Sequence, residues 1–342
     1  MDWNETPAEL ARAWAEQPLI MPGQQGELYG IFTPPAPEAP PAGMCVILFS
    51  RNRWWHDRLT VKGARWLASR GFPCLRFDYH GLGESEGICQ AIHGDRPFTE
   101  DAVAAIRYMR KEFGQQRFVL SGFCFDGRTA LSATEEEGDA IEAVVCTSPS
   151  VTGYPGEPLT YIVSLQKVRT FLTSSTSFKK IMLQRALRHC VNLMRLAGKS
   201  RPGEGLLERQ LSINFKRDFE ALVRSKARGF FLQGRDDSQY HEFELVERFV
   251  LPKLTPEQRA RITVEVWPGN IHSHDRPEVV RKVIERTLSW IDGCRQAPFT
   301  LAQPAPVPSF QKMMGGRAGT ESDEAGVPEA RVPADPALLR AK

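Results

Sequence analysis

Residues 118–128 of the chain read FVLSGFCFDGR. The apolar run that opens this segment predicts a buried strand ending near Gly122, and Cys124 follows where a helix would begin. In a Gly-x-Ser-x-Gly turn, the tight passage from strand to helix pushes the central side chain out of the sheet. Here the exposed atom would be sulfur, and a thiol beside a base ionises more readily than a hydroxyl. The alternative interpretation is a buried core cysteine.

Strands and helices are predicted to alternate on both sides of this turn. The apolar or alternating pattern of strands is found at 44–49, 74–78, 141–146, 229–234 and 262–267. Helical spacing is found at 59–70, which ends at Gly71, and at 277–291. This alternation over roughly 250 residues predicts an α/β fold with a mostly parallel, doubly wound sheet.

With these elements in place, the chain resembles the α/β-hydrolase superfamily over about residues 25–293. The resemblance is carried by RGFPCLRFDYHGLGES at 70–85, by the turn at Cys124, by GRDD at 234–237 and by NIH at 270–272. The order nucleophile, acid, histidine is the order of that superfamily. The chain is most similar to members with a cysteine at the turn, such as dienelactone hydrolases, polyhydroxyalkanoate synthases, Cys-type acyl or aminoacyl transferases and hydrolases associated with exosortase systems.

The resemblance implies a catalytic triad of Cys124, Asp237 and His272. Asp236 is the alternative acid, and His274 is the alternative histidine because both precede the predicted final helix. In this chemistry the imidazole takes the thiol proton, while the carboxylate sets the tautomer of the ring and stabilises the imidazolium.

The oxyanion hole departs from the pattern of the superfamily. One donor is expected to be the backbone N–H of Phe125, directly after the nucleophile. The second is expected to be the backbone N–H of Arg51 or Asn52, since the donor is main chain.

Asp126 stands where the turn normally has its last glycine, and Gly127 follows it. A carboxylate there would raise the thiol pKa if it faced the sulfur. We favour the alternative, a capping charge stabilised by the helix dipole.

Composition favours one catalytic domain with additions. A chain of 342 residues with 42% hydrophobic content can bury a full α/β core. The domain boundaries are predicted as an N-terminal helix or extension at 1–24, core at 25–150, a helical lid at 151–228, core at 229–295 and a disordered Pro/Ala-rich tail at 296–342.

The seven cysteines have neither metal-ligand spacing nor a disulfide framework, and no signal segment or membrane span is evident. These features predict a cytoplasmic protein without a metal. No cofactor is expected either, apart from a phosphopantetheine thioester as a possible substrate arm.

The net charge of +3 conceals a basic interval. Residues 161–228 hold 15 lysines and arginines against four acids, and they fall where α/β-hydrolases insert a lid between late strands. An apolar face alternates there with basic residues, and we predict a basic amphipathic lid that includes Lys179, Lys180, Arg185, Arg188 and Arg195.

Such a lid fits an acidic acyl carrier protein, a coenzyme A thioester or an anionic membrane surface. No nucleic-acid fold signature accompanies the charge, so we expect no nucleic-acid partner. The alternative is a lid whose basic side faces water or packs on the acidic core domain.

These features predict acyl transfer or thioester hydrolysis through an acyl-Cys intermediate. Two alternatives stay open: a small-ester or lactone hydrolase of the dienelactone hydrolase type, and a non-catalytic homologue that acts as a binding protein.

Overall fold

The computed structural model describes residues 15–50, 58–89, 98–152, 207–272 and 277–295. All of them lie in one unit of the chain, Met1–Ala305. The predicted N-terminal helix falls mostly on residues 1–14, outside the described part, and the predicted tail at 296–342 lies outside it as well.

Eight strands form one sheet in the order β1-β2-β4-β3-β5-β6-β7-β8. Their bounds are β1 Gln17–Gly23, β2 Gly26–Thr33, β3 Cys45–Phe49, β4 Cys74–Phe77, β5 Phe118–Phe123, β6 Ile141–Thr147, β7 Arg228–Gly234 and β8 Ile262–Trp267. The β1–β2 and β2–β4 pairs are antiparallel, and all other pairs are parallel. This arrangement confirms the predicted mostly parallel α/β sheet.

The first hairpin corrects the predicted start of the core. β1 pairs with β2 along its whole length, and Leu19 and Met21 are buried while Ile20 between them is exposed. This alternation is that of an edge strand with one buried face. The core therefore begins at Gln17 rather than at residue 25.

Helices cover both faces of the sheet. Their bounds are α1 Leu59–Ala68, α2 Thr99–Phe113, α3 Phe125–Ser132, α4 Thr134–Glu137, α5 Ile213–Arg224, α6 Ser238–Phe249, α7 Pro256–Ala260 and α8 Pro277–Asp292. One apolar core holds residues of α2, α3, α5 and α6, and the other holds residues of α1 and α8. Burial on both faces explains why the central strands are almost continuously apolar.

The predicted lid interval, 151–228, contains a helix of the core at its end. In α5, Phe215 and Phe219 are buried in the larger core, and Asp218 accepts a hydrogen bond from buried Arg128 of α3 over 3.4 Å. The lid prediction therefore applies to the residues before α5, because α5 buries its apolar face against the sheet. Residues 153–206, with the five basic side chains named above, lie outside the described part.

The described residues on either side of 153–206 contact each other. Thr152 forms an isolated antiparallel bridge with Leu211, and the N–H of Ser212 donates to the carbonyl of Val151 over 2.9 Å. The chain thus leaves the core after β6 and returns to it at the same place.

Candidate active site

Cys124 occupies a strained turn between β5 and α3. Its φ is 56° and its ψ is −115°, in the left-handed half of backbone space that residues with a Cβ rarely adopt. Such a conformation costs about 1–3 kcal/mol and persists only where the surroundings impose it. The predicted nucleophile therefore lies in the geometry of an elbow rather than in a regular strand.

Glycines explain why the turn can close. A Cβ at Gly122 would overlap the backbone carbonyl of Asp126, and a Cβ at Gly127 would lie 3.1 Å from the carbonyl oxygen of Gly122. The N–H of Cys124 donates to the carbonyl of Thr147 over 2.7 Å and ties the turn to β6. The backbone comes closest to itself at Gly122 and Gly127, and these are the two positions without a Cβ. Residue 126 can therefore carry a side chain although the turn usually has glycine there.

The Asp126 side chain has a hydrogen-bond partner inside the protein. The hydroxyl of Tyr79 donates to Asp126 Oδ1 over 2.9 Å, and both residues are buried. The Tyr79 ring stacks on Phe98 with 4.3 Å between centroids. Burial, and then the neighbouring carboxylate, raise the pKa of Tyr79. Asp126 lies in the first turn of α3, as a capping charge would, and its Oδ1 is bound to Tyr79.

Asp237 is fully buried directly after β7 and accepts four hydrogen bonds. Its Oδ1 accepts from the N–H groups of Ile271 and His272, at 2.9 and 3.1 Å. Its Oδ2 accepts from the Ser148 hydroxyl and the N–H of Gly234, at 2.8 and 3.1 Å. Burial raises the pKa of Asp237, while the backbone N–H of His272 and the Ser148 hydroxyl oppose this rise.

Asp236, the alternative acid, is exposed, and its backbone N–H donates to Gly269. Asp237 is the carboxylate held against the loop that carries His272. A Cβ at Gly234 would lie 2.6 Å from Asp237 Oδ2 and 2.7 Å from the Ile271 nitrogen. The Gly-x-x-Asp spacing therefore has a steric reason, because only glycine leaves room for the carboxylate.

Ser148 is a site residue that the sequence analysis missed. It is fully buried after β6, has a φ of 43°, and its hydroxyl bonds the candidate acid. Ser-Pro after a predicted strand is a turn signal, and it does not reveal a partner 89 residues away.

His272 is half-buried and lies against the elbow. Its ring stacks on Phe123, the residue before Cys124, with 5.4 Å between centroids and 20° between planes. The backbone N–H of His272 donates to Asp237 Oδ1, and its imidazole also lowers the pKa of that carboxyl electrostatically. The structure thus brings the loops of the three predicted triad residues to one edge of the sheet. His274 lies outside the described part.

The predicted oxyanion donors are described only in part. Phe125 is the first residue of α3 and directly follows Cys124. Arg51 and Asn52 lie outside the described residues.

Neither a metal cluster nor a membrane span is found in the described part of the chain. No group of three or more His, Cys, Asp or Glu residues there could hold a metal ion. Within the same ranges, no helix has both the length and the apolar character that crossing a membrane requires.

Part of the chain is similar in sequence to a hydrolase family and to a bacterial quorum-quenching protein. Residues 43–195 match the family described as serine aminopeptidase, S33. A quorum-quenching protein of Acinetobacter baumannii, AidA, is 34% identical over 99 residues, which are 28% of this chain and 32% of AidA. The match thus spans about a third of the length of that relative.

Solved structures of α/β hydrolases share the fold. An esterase of Pyrococcus furiosus is similar with a TM-score of 0.52 and 14% identity, covering 86% of this chain and 97% of its own. The α/β hydrolase GrgF of Penicillium sp. sh18 gives a TM-score of 0.51 and 17% identity, covering 82% and 99%. The sheet order and the elbow thus give the chain the α/β-hydrolase fold, with cysteine at the turn where Gly-x-Ser-x-Gly has serine, and less than half of its length matches the serine aminopeptidase family.

Proposed function

We propose that this protein is an enzyme that transfers or hydrolyses an acyl group through a covalent acyl-Cys124 intermediate. The observation that carries the proposal is the strained backbone of Cys124 next to Phe123, on which the His272 ring stacks. A buried cysteine that only filled space would not need a left-handed conformation.

The proposed reaction has two halves. His272 removes the thiol proton, the sulfur attacks the carbonyl carbon, and the leaving thiol or alcohol departs with the proton from the imidazolium. Water or another nucleophile then attacks the thioester and regenerates the thiol. The Phe125 N–H, together with that of Arg51 or Asn52, would stabilise the oxyanion.

Asp237 has two tasks in this mechanism. Its carboxylate holds the backbone of Ile271 and His272, and its charge stabilises the imidazolium when the thiolate forms. Because burial raises the pKa of Asp237, the four hydrogen bonds matter for keeping it ionised at neutral pH.

A thioester is the preferred acyl donor. Exchange of one thioester for another trades like bonds and is close to thermoneutral, which suits a cysteine nucleophile. The basic interval at 161–203 contains no acid. The described residues before and after it, Thr152 and Leu211, pair with each other after β6. This charge supports delivery by an acidic carrier protein or by coenzyme A, with an anionic membrane surface as the alternative.

Hydrolysis of small free esters or lactones is the second candidate. The match of residues 43–195 to a hydrolase family favours water as the final acceptor. This candidate predicts turnover of small esters without a carrier or coenzyme, and no loss of rate when the basic residues at 179–195 are neutralised.

Thiol labelling with mass readout tests the proposal. Iodoacetamide is added over a pH series and the modified cysteine is mapped. Burial raises the pKa of Cys146 to about 12 and that of Cys294 to about 11, so both thiols serve as slow internal references. Half-buried Cys89 is the matched control for accessibility. We expect Cys124 to react first, with an apparent pKa that rises in His272→Ala.

Incubation with acetyl-coenzyme A should then add one acetyl group to wild type and to Cys89→Ala, and none to Cys124→Ala. Turnover that continues in Cys124→Ala would exclude the mechanism. If Cys124 is no more reactive than Cys294, the chain is better interpreted as a non-catalytic binding protein.

A further inference from the structure

Phe123, the residue before the candidate nucleophile, is fixed through both its backbone and its ring. It is the last residue of β5 and pairs with Thr147 of β6. Its ring is half-buried and packs against the core that contains α1 and α8. The N–H of the next residue, Cys124, donates to the carbonyl of the same Thr147 over 2.7 Å. The end of β6 therefore fixes the backbone of Phe123 and that of Cys124 together.

The backbone and the ring of His272 contact different groups. The backbone N–H donates to Asp237 Oδ1, which fixes the position of the residue in its loop. The ring stacks on the Phe123 ring, with 5.4 Å between centroids and 20° between planes. This separation lies within the range of about 4.5–7 Å over which aromatic pairs attract each other. Because the imidazole loses this contact when it turns away, Phe123 restricts the orientation of the ring.

The ring that contacts the candidate base belongs to the neighbour of the residue that carries the sulfur. Adjacent Cα atoms are about 3.8 Å apart, so Phe123 and Cys124 are joined by one rigid peptide unit. A displacement of the elbow moves both residues, and the stacked imidazole follows. The contact thus preserves the position of the base relative to the nucleophile, which proton transfer between them requires.

The stack also has an electrostatic consequence. The face of a phenyl ring carries negative potential and attracts a cation within about 6 Å of the ring centroid. The imidazole of His272 lies inside this limit. In the proposed reaction it becomes positively charged when the thiolate forms. Phe123 therefore favours the imidazolium, in the same direction as the Asp237 carboxylate, which interacts with His272 electrostatically. An aliphatic side chain would fill the space without this attraction.

We propose that Phe123 is a positioning residue of the active site, which orients the His272 ring and stabilises its protonated form through the π face of the phenyl group. Phe123 thereby shifts the thiol–imidazole pair toward thiolate and imidazolium. In this equilibrium one proton leaves Cys124 Sγ and binds the imidazole of His272, so the net charge of the pair is unchanged. The inference rests on the proposed function, since it concerns the nucleophile and the base of the same site.

Fluorination tests the electrostatic role at nearly constant shape, because fluorine withdraws electron density from the ring face. Mono-, di- and pentafluorophenylalanine are incorporated at position 123 by amber suppression. The rate of Cys124 alkylation by iodoacetamide is then measured over a pH series with peptide mapping. We expect the apparent pKa of the Cys124 thiol to rise with the number of fluorines, by about half a unit to one unit in total. A thiol pKa that does not depend on fluorine content would overturn the proposal.

Substitution tests the role of the ring as a whole. Phe123→Leu keeps an apolar side chain without a π face, and it should raise the thiol pKa and lower kcat/KM by about threefold to tenfold. Phe123→Tyr keeps the ring and should retain the wild-type thiol pKa. Val283→Ala is the packing control, since Val283 of α8 is buried in the same core. An equal rise of the thiol pKa in Val283→Ala would reduce Phe123 to a packing residue and contradict the proposal.

Titration without the nucleophile separates this inference from the proposed function. The His272 ring is followed by NMR in Cys124→Ala and assigned with Cys124→Ala/His272→Ala. We expect fluorination of Phe123 to lower the pKa of this imidazole by about half a unit to one unit. If this holds while Cys124 of the wild type does not react, the role of Phe123 stands and the catalytic proposal fails. If Cys124 reacts with a pKa that depends on His272, but neither titration depends on residue 123, the inference fails and the catalytic proposal stands.

Discussion

The hydroxyl of Ser148 donates to Asp237 Oδ2 over 2.8 Å, from a buried residue with a φ of 43° at the end of β6. Residues with a Cβ occupy this backbone region only where the surrounding structure holds them there. The contact ties the candidate acid to a neighbouring strand, while the same carboxylate holds the loop of His272. Strain at Ser148 is thus associated with positioning of the acid.

We predict that Ser148→Ala lowers kcat/KM about tenfold to a hundredfold, the range for a hydrogen bond to a charged group. Because this bond opposes the rise in the pKa of Asp237, its loss should raise that pKa and shift the acid limb of the rate profile to higher pH. The profile is measured by steady-state kinetics. Ser150→Ala is the matched control, since its hydroxyl bonds Glu242 instead. An unchanged acid limb would argue against a role of Ser148 in positioning Asp237.

Gly122→Ala is expected to destroy the elbow. The added Cβ overlaps the Asp126 backbone, whereas at Gly127 the nearest backbone atom is 3.1 Å from a Cβ. We expect Gly122→Ala to lose about 3 kcal/mol or more in free energy of unfolding and Gly127→Ala to lose less. Urea unfolding followed by circular dichroism gives both values. The reverse order would mean that the elbow is not closed at Gly122.

The Tyr79–Asp126 hydrogen bond predicts a measurable coupling. Asp126→Gly restores the residue usual at this position but leaves a buried Tyr79 hydroxyl without its acceptor, at a cost of about 1–3 kcal/mol. The double variant with Tyr79→Phe should recover part of that loss. A double-mutant cycle by urea unfolding measures the coupling, which we expect to be about 0.5–3 kcal/mol. Additive single changes would show that the contact contributes nothing. A large gain in esterase activity for Asp126→Gly would indicate that residue 126 impairs the site.

Glu242 predicts a pH-dependent stability at the base of the proposed lid. Its Oε2 accepts from the Ser150 hydroxyl and from the N–H groups of Val151 and Thr152, where the chain leaves the core. Burial raises the pKa of Glu242 against these bonds, so the folded state holds the proton more tightly than the unfolded state. The stabilisation is complete below the ordinary Glu pKa of about 4.3 and is lost as pH rises through the folded value.

Glu242→Gln keeps an acceptor oxygen and removes the titration. The pH dependence of its unfolding free energy should therefore be flatter than that of wild type between acid and neutral pH. Glu244→Gln, an exposed change on the same helix, should keep the wild-type slope. Identical slopes in wild type and Glu242→Gln would mean that Glu242 titrates as it does in the unfolded chain.

Much of the fold could be predicted from local patterns. Apolar runs located β3 to β8 within a few residues, Gly71 ended α1 with a φ of 87°, and the elbow followed from glycines around Cys124. The first hairpin was missed, because β1 is an edge strand with one buried face and β2, its neighbour, alternates buried and partly exposed residues instead of forming a continuous apolar run. The basic interval at 161–228 also extended the predicted lid too far toward the C-terminus, because the charge of a segment does not reveal that α5 buries its apolar face in the core.

The sequence by itself determined the order of the elements, the strained turn at Cys124 and the spacing that makes Asp237 and His272 candidates. These depend on side-chain periodicity and glycine sterics within a few residues of each other. Only the tertiary structure decided that Asp237 rather than Asp236 holds the His272 loop and that Ser148 bonds that acid. Those contacts join residues far apart in the chain, because strand order and helix packing set such distances and no local pattern encodes them.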